Sequence, residues 1–146
     1  MTTVANILST KGHAVHCVRS NELVFEAVRR MVAHNVGALP VMGDDERHLA
    51  GIITERDYLR RIVLEGRSSK STFVEEIMSR RVAHVVPDTT VDDCMHLMTE
   101  LRIRHLPVME GDELIGIVSI GDLVKAQISD HRLSIEQLTQ YIQGRA

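Results

Sequence analysis

The segment Gly51-Ile52-Ile53-Thr54-Glu55-Arg56-Asp57 returns as Gly116-Ile117-Val118-Ser119-Ile120-Gly121-Asp122, each copy behind a Leu-Pro-Val-Met tetrad, Leu39 to Met42 and Leu106 to Met109. Shifting the sequence by 67 positions aligns Val24 with Val91, Met31 with Met98 and one tetrad with the other. The shift then falls to 65, aligning Gly51 with Gly116 and Asp57 with Asp122. The two-residue slip falls in a polar turn, Gly43 to His48 against Glu110 to Glu113, where a surface hairpin tolerates length change. The chain is therefore an internal duplication. It must fold as two like units, and each unit carries one hydroxyl and one carboxylate at the same place.

Each unit reads as β-α-β-β-α. A short strand (Val15 to Val18; Val82 to Val86) precedes an amphipathic helix. The helical stripes are Val24, Ala27, Val28, Met31, Val32 and Val91, Cys94, Met95, Met98, Leu101. The tetrad strand, an acidic turn and the Gly-Ile-Ile or Gly-Ile-Val strand then form a hairpin. A last helix starts at the Thr or Ser and carries Tyr58 to Leu64, or Leu123 to Ile128. The expected boundaries are residues 5–66 for the first repeat, 67–79 for a linker and short helix, 80–130 for the second repeat, and 131–146 for a helical tail. The tail's apolar face is Leu133, Leu138, Tyr141 and Ile142.

Composition excludes several functions. With 146 residues, 44% apolar and 25% charged, and a net charge of −3, the chain has the profile of a soluble globular protein. It lacks the dense basic surface that nucleic acid requires, and Phe25, Tyr58, Phe73 and Tyr141 are too few to stack single strands. No apolar run approaches membrane-spanning length, and the first residues lack the marks of a secretory signal. A cytoplasmic setting is expected. Cys17 and Cys94 show no metal or redox spacing and are read as reduced, small and buried. The eight histidines are scattered, with only His13 and His16 close together, so no metal site is expected. No Ser/His/Asp or Cys/His constellation with a local signature can be assembled, so no catalytic residue is expected.

Thr54 and Ser119 end a strand and open a helix, where unpaired N–H groups favour an anion. Asp57 and Asp122 lie one turn further, and a carboxylate accepts two hydrogen bonds, as a ribose diol would offer. Ser/Thr-x-x-Asp also suits a helix capping box that needs no ligand. The halves differ chemically: Asn35-Val36-Gly37-Ala38 precedes the first tetrad, Arg102-Ile103-Arg104-His105 the second. Arg56 lies inside the first motif against Gly121 in the second. A cluster of Arg56, Arg104 and His105 would favour pyrophosphate or polyphosphate. Lys70 in the linker is a further candidate for a phosphate.

Doubled in this way, the motif, the tetrads and the helix spacing resemble the cystathionine-β-synthase (CBS) domain family, specifically a tandem pair or Bateman module, over about residues 5 to 130. The linker Gly66 to Thr72, the run Gly51 to Arg60 and the stretch Tyr141 to Gly144 are similar to bacterial stand-alone CBS-pair proteins and their plant organellar relatives. The resemblance implies an α/β (α+β) fold of two repeats about a pseudo-two-fold axis. It implies a non-enzymatic regulatory module that pairs into a homodimer and signals to a separate effector. The implied ligand is adenosyl: AMP, ADP, ATP, NAD or S-adenosylmethionine, with the basic residues favouring AMP and NAD. Gly37, Ala38, Pro40, Ile103 and Pro107 would line the clefts. The alternative is a protein-interaction regulator of a thioredoxin-type or other enzyme, its nucleotide sites incidental.

Overall fold

The computed structural model of the protein describes residues 1–45 and 48–144, the side chains of 141, 143 and 144 excepted. Glu46 and Arg47 of the expected acidic turn, the Tyr141 side chain of the expected tail stripe, and residues 145–146 lie outside the described residues.

The chain begins with an element the strand-first pattern does not anticipate. Thr3 and Asn6 cap each other's backbone N–H groups and open helix α1, Val4–Lys11. Strand β1, Val18–Arg19, pairs parallel with β2, Ala38–Met42, which pairs antiparallel with β3, Leu49–Thr54. In the second unit β4, His105–Glu110, pairs antiparallel with β5, Glu113–Ser119. Both hairpins shift register at the same step, Val41/Met42 and Val108/Met109, so the duplication extends to the irregularity.

The leading strands are shorter than the sequence suggests. Cys17 turns its carbonyl to the Arg30 guanidinium, 2.8 Å away, instead of to a neighbouring strand. In the expected strand Val82 to Val86, only Val85 pairs, donating to the Pro107 carbonyl and accepting from the Met109 N–H. The N–H of Val86 is already taken by the Thr89 hydroxyl.

Helices α2, Val24–His34, and α5, Val91–Leu101, bury part of the expected stripe, Val24, Ala27, Met31 and Val91, Cys94, Met98; Val28 and Met95 are half-buried, while Val32 and Leu101, at the far edge of the stripe, are exposed. Both end in a left-handed residue, Asn35 at φ 53° and Arg102 at φ 56°. Helix α3, Glu55–Tyr58, widens into a π-helical turn, Leu59–Val63, that buries Ile62. Helix α4, Val74–Ile77, is short. The last repeat helix and the tail are one helix, α6, Ile120–Gly144, because no Gly or Pro between Asp122 and Gln143 ends it. No described helix is long and apolar enough to cross a membrane.

The two units interlock by a reciprocal exchange. Val4, Ile7 and Leu8 of α1 belong to the core of the second unit, with Val91, Leu106, Val118 and Leu123. Val74 and Ile77 of α4, and Met78 just after it, belong to the core of the first, with Val24, Leu39, Val41 and Ile53. Matching backbone bonds fix each crossing: Val4 N–H to Thr89 O and Val91 N–H to Thr2 O on one side, Val74 N–H to Glu22 O and Val24 N–H to Thr72 O on the other. This pairwise equivalence is the pseudo-two-fold relation between the repeats. It also explains the motif glycines. A Cβ at Gly51 would stand 2.6 Å from the Ser79 carbonyl oxygen, and one at Gly116 would stand 2.8 Å from Leu8 Cδ2. Each glycine is the place where the exchanged segment crosses the sheet.

Candidate functional site

The hydroxyl and carboxylate of each motif sit where β3 runs into α3 and β5 into α6. Thr54 N–H and Oγ1 both donate to Asp57 Oδ2, at 3.0 and 3.1 Å, while Asp57 N–H donates to Thr54 Oγ1 at 3.1 Å. In the second unit Ser119 N–H donates to Asp122 Oδ2 at 2.8 Å, and Asp122 N–H donates to Ser119 Oγ at 3.2 Å. Both are capping boxes, so the capping reading holds in the structure. The preceding turns match as well, since Gly37 O accepts from Glu55 N–H and Arg104 O from Ile120 N–H.

Capping leaves each carboxylate further acceptor capacity, and the exchanged segment of the other unit reaches it. At Asp57 the visitor is the Ser79 hydroxyl, donating to Oδ1 at 3.3 Å. It is held there because Ile52 and Ser79 pair through two backbone bonds. At Asp122 the visitor is the Lys11 ammonium, 2.7 Å from Oδ2 and 2.7 Å from the Ile117 carbonyl. Burial alone would push the Asp122 carboxyl up, but the Lys11 ammonium and the Ser119 N–H outweigh it and hold the group below the usual carboxylate range. Sequence reasoning missed Lys11 because its partner is 111 positions away. Its only local sign was a lysine at the end of an uncounted helix.

The basic residues gather differently from the expected cluster. His105, half-buried on β4, has its Cε1 3.6 Å from where a Gly37 Cβ would stand, with the Glu55 carboxylate on the same spot at 3.5 Å. Gly37 therefore marks a close approach between the units. Burial pushes the His105 imidazole below its usual range; Lys11 and Arg104 add to this, while Asp122 and Glu55 oppose it. His105 and the exposed Arg104 thus stand by the Asp122 half-site, together with Lys11. Arg56 is exposed on α3, and the group that meets His105 at Gly37 is the neighbouring Glu55 carboxylate. Lys70 sits over the start of α2, its ammonium 5.1 Å from the Phe25 ring centre, whereas Gly37 follows the other end of that helix. Ala38 and Pro40 are buried opposite Thr54 and Ile52, and Pro107 opposite Ile117. Ile103 is half-buried just ahead of β4.

A cavity of about 310 Å³ adjoins the first half-site, lined by Gly37, Glu55, Tyr58, Val28 and Met31. A larger one, about 480 Å³, lies at the hairpin-tip end of the sheets between Cys17, Arg30, Met42 and Glu113, away from both carboxylates. Cys17 is half-buried rather than buried. His16 stacks on His34 rather than joining His13, which meets the Ile115 carbonyl. Among the described residues no group of three His, Cys, Asp or Glu is placed to hold a metal ion.

Known proteins share this architecture. CBSX3, a mitochondrial CBS domain-containing protein of Arabidopsis thaliana, is 46% identical over 98% of this chain and 73% of its own length. A solved protein with CBS domains from Burkholderia ambifaria MC40-6 is 51% identical, covering 88% of this chain and 96% of its own, with a TM-score of 0.83. The CBS domain pair of protein MJ0100, solved in complex with 5′-methylthioadenosine and S-adenosyl-L-methionine, is 28% identical over 86% of this chain and 98% of its own, with a TM-score of 0.74. The chain matches the CBS domain over residues 4–64 and again over 74–129, and it belongs to that family as a tandem pair of repeats.

Proposed function

We propose that the protein is a non-catalytic regulatory module that binds an adenosyl ligand (AMP, ADP, ATP, NAD or S-adenosylmethionine) in the clefts between its repeats and signals to a separate effector protein. The observation that carries this reading is the pair of capped carboxylates, each already accepting a donor from the opposite unit. A ribose hydroxyl has the same donor chemistry as the Ser79 hydroxyl and can replace it. The bound adenosyl ligands of the MJ0100 pair support the ligand class. Lys11, Arg104 and His105 around Asp122 favour a ligand with phosphates, such as AMP or NAD, at that cleft. Both thiols are pushed above their usual range by burial, Cys94 to about 11, which suits packing rather than nucleophilic attack.

Coupling follows from the exchange. A ribose that displaces Ser79 or Lys11 loosens a segment that packs in the core of the unit it visits while its chain belongs to the other, so ligand biases the relation between units by its differential affinity. Exposed Val32, Leu59, Val63 and Leu101 on α2, the π-helical turn and α5 give a second copy an apolar face for a homodimer.

Calorimetric titration with AMP, ATP, NAD and S-adenosylmethionine tests the reading on the wild type, Asp57→Ala and Asp122→Ala. At least one ligand binds, and at least one substitution weakens it about tenfold or more, the loss expected for charge-assisted hydrogen bonds. Binding of none of the four, or binding unchanged in both variants, overturns the assignment.

A further inference from the structure

Helix α6 is tied to the body only in its first half. Gln127 reaches Asp92 at 3.3 Å, and the Thr2 hydroxyl lies 2.6 and 2.8 Å from the two carboxylate oxygens of Asp130. Every residue from 128 to 140 is exposed, yet the helix runs on to Gly144, so about 20 Å of it stands clear of the body. A lone helix of that length is marginal in water and gains its stability from a covered face.

The sequence supplies such a face. Val124, Ile128, His131, Ile135, Leu138 and Ile142 follow one another at alternating steps of four and three, the spacing of a coiled-coil seam. The apolar members are open to solvent: Val124 at 42%, Ile128 at 49%, Ile135 and Ile142 at 65%, and Leu138 at 62%. The four-then-three order puts Ile128, Ile135 and Ile142 at the a positions and Val124, His131 and Leu138 at d. β-Branched residues at a with Leu at d favour two parallel strands, and a lone polar residue such as His131 fixes register at some cost in stability.

The flanking charges fit an identical partner. Lys125, Arg132 and Thr139 occupy e, and Gln127 and Ser134 occupy g. In a parallel pair each g faces the e position five residues on in the partner, so Arg132 meets Gln127 and Thr139 meets Ser134, with no like charges opposed. A membrane surface fits less well, because the stripe is narrow and the rest of the helix carries Asp130 and Glu136. Leu133 lies off the seam and is not explained by it.

We infer that α6 pairs with α6 of a second copy as a parallel two-stranded coiled coil over residues 124–142. This interface is distinct from the α2 and α5 face and independent of any ligand.

Cysteine cross-linking of the full chain tests it in a Cys17→Ser background; Cys94 is buried, with its thiol near 11, and does not compete. Ile128→Cys and Ile142→Cys should each form a disulfide to their own copy, in yield on the order of tenfold above outward-facing Gln140→Cys, given the short reach of a disulfide. Adding Ile135→Asp to Ile128→Cys should reduce that yield about tenfold or more without lowering the melting temperature of the body. Cross-linking of Ile128→Cys only on mixing with Leu138→Cys, its opposite number in an antiparallel pair, overturns the proposal. Equal yield at Gln140, no disulfide at either a position, or no effect of Ile135→Asp overturns it as well.

Discussion

At Asp57 the segment crossing from the second unit offers a hydroxyl; at Asp122 the segment crossing from the first offers an ammonium. The two carboxylates otherwise share the same strand end, the same capping box and the same preceding turn. The duplicated motif has thus stayed nearly constant while the parts that touch it from the other unit have diverged. A neutral donor leaves Asp57 its charge to spend on a ligand. Lys11 neutralises Asp122 in advance and brings its own cation to the cleft, so the halves differ in what they ask of a ligand before one arrives.

The crossings themselves differ in stiffness, which should produce the largest effect. Gly51→Ala drives a methyl into the Ser79 backbone, which is fixed by two hydrogen bonds to Ile52, whereas Gly116→Ala meets the flexible end of Leu8. Chemical denaturation should show a loss of about 2–3 kcal/mol for the first and about 1 kcal/mol for the second. Equal losses would remove the difference in rigidity.

The acid limb of stability should differ next. The Asp122 carboxyl has a lower pKa folded than its unfolded value of about 3.9, so the stabilisation by Lys11 is complete above that pH and is lost as the pH falls through the folded value. The pair is partly exposed, at 33% and 23%, which limits it to under about 1 kcal/mol. Urea midpoints for Lys11→Met should therefore fall less steeply than those of the wild type as the pH drops below about 4. Parallel curves would deny the pair its role. Smaller still is the contrast at the helix ends. Asn tolerates the left-handed conformation that Arg resists, so Arg102→Gly should gain about 0.5–1 kcal/mol and Asn35→Gly almost nothing. Thermal melts of the two variants resolve this.

Much of this was legible in the sequence and the remainder has a physical reason for hiding. The stripes of α2 and α5 and both hairpins follow from local periodicity, and the motif pairs follow from repetition. The segment from Val15 to Val18 has strand propensity, but only Val18 and Arg19 find a partner strand. Thr3-x-x-Asn6 with Val4, Ile7 and Leu8 was readable as a helix start, yet nothing local says that α1 packs on the second unit. The repetition of the motif glycines is legible in the sequence, but their cause is a backbone or side chain arriving from elsewhere. Lys11 was invisible for the same reason, and Lys70 was drawn off by Phe25. The joining of the last repeat helix to the tail needed only the observation that no breaker separates them.

Lys11 sets the second cleft apart from the first. Calorimetry with adenosine, which has the ribose but no phosphate, tests it in Lys11→Met, with Asp57→Ala and Asp122→Ala used to assign each cleft. Freed of the ion pair it must otherwise break, the Asp122 cleft should bind adenosine roughly 2- to 5-fold more tightly, as expected for a partly exposed pair, while the Asp57 cleft stays unchanged. An equal change at both clefts, or none at Asp122, would deny Lys11 that role.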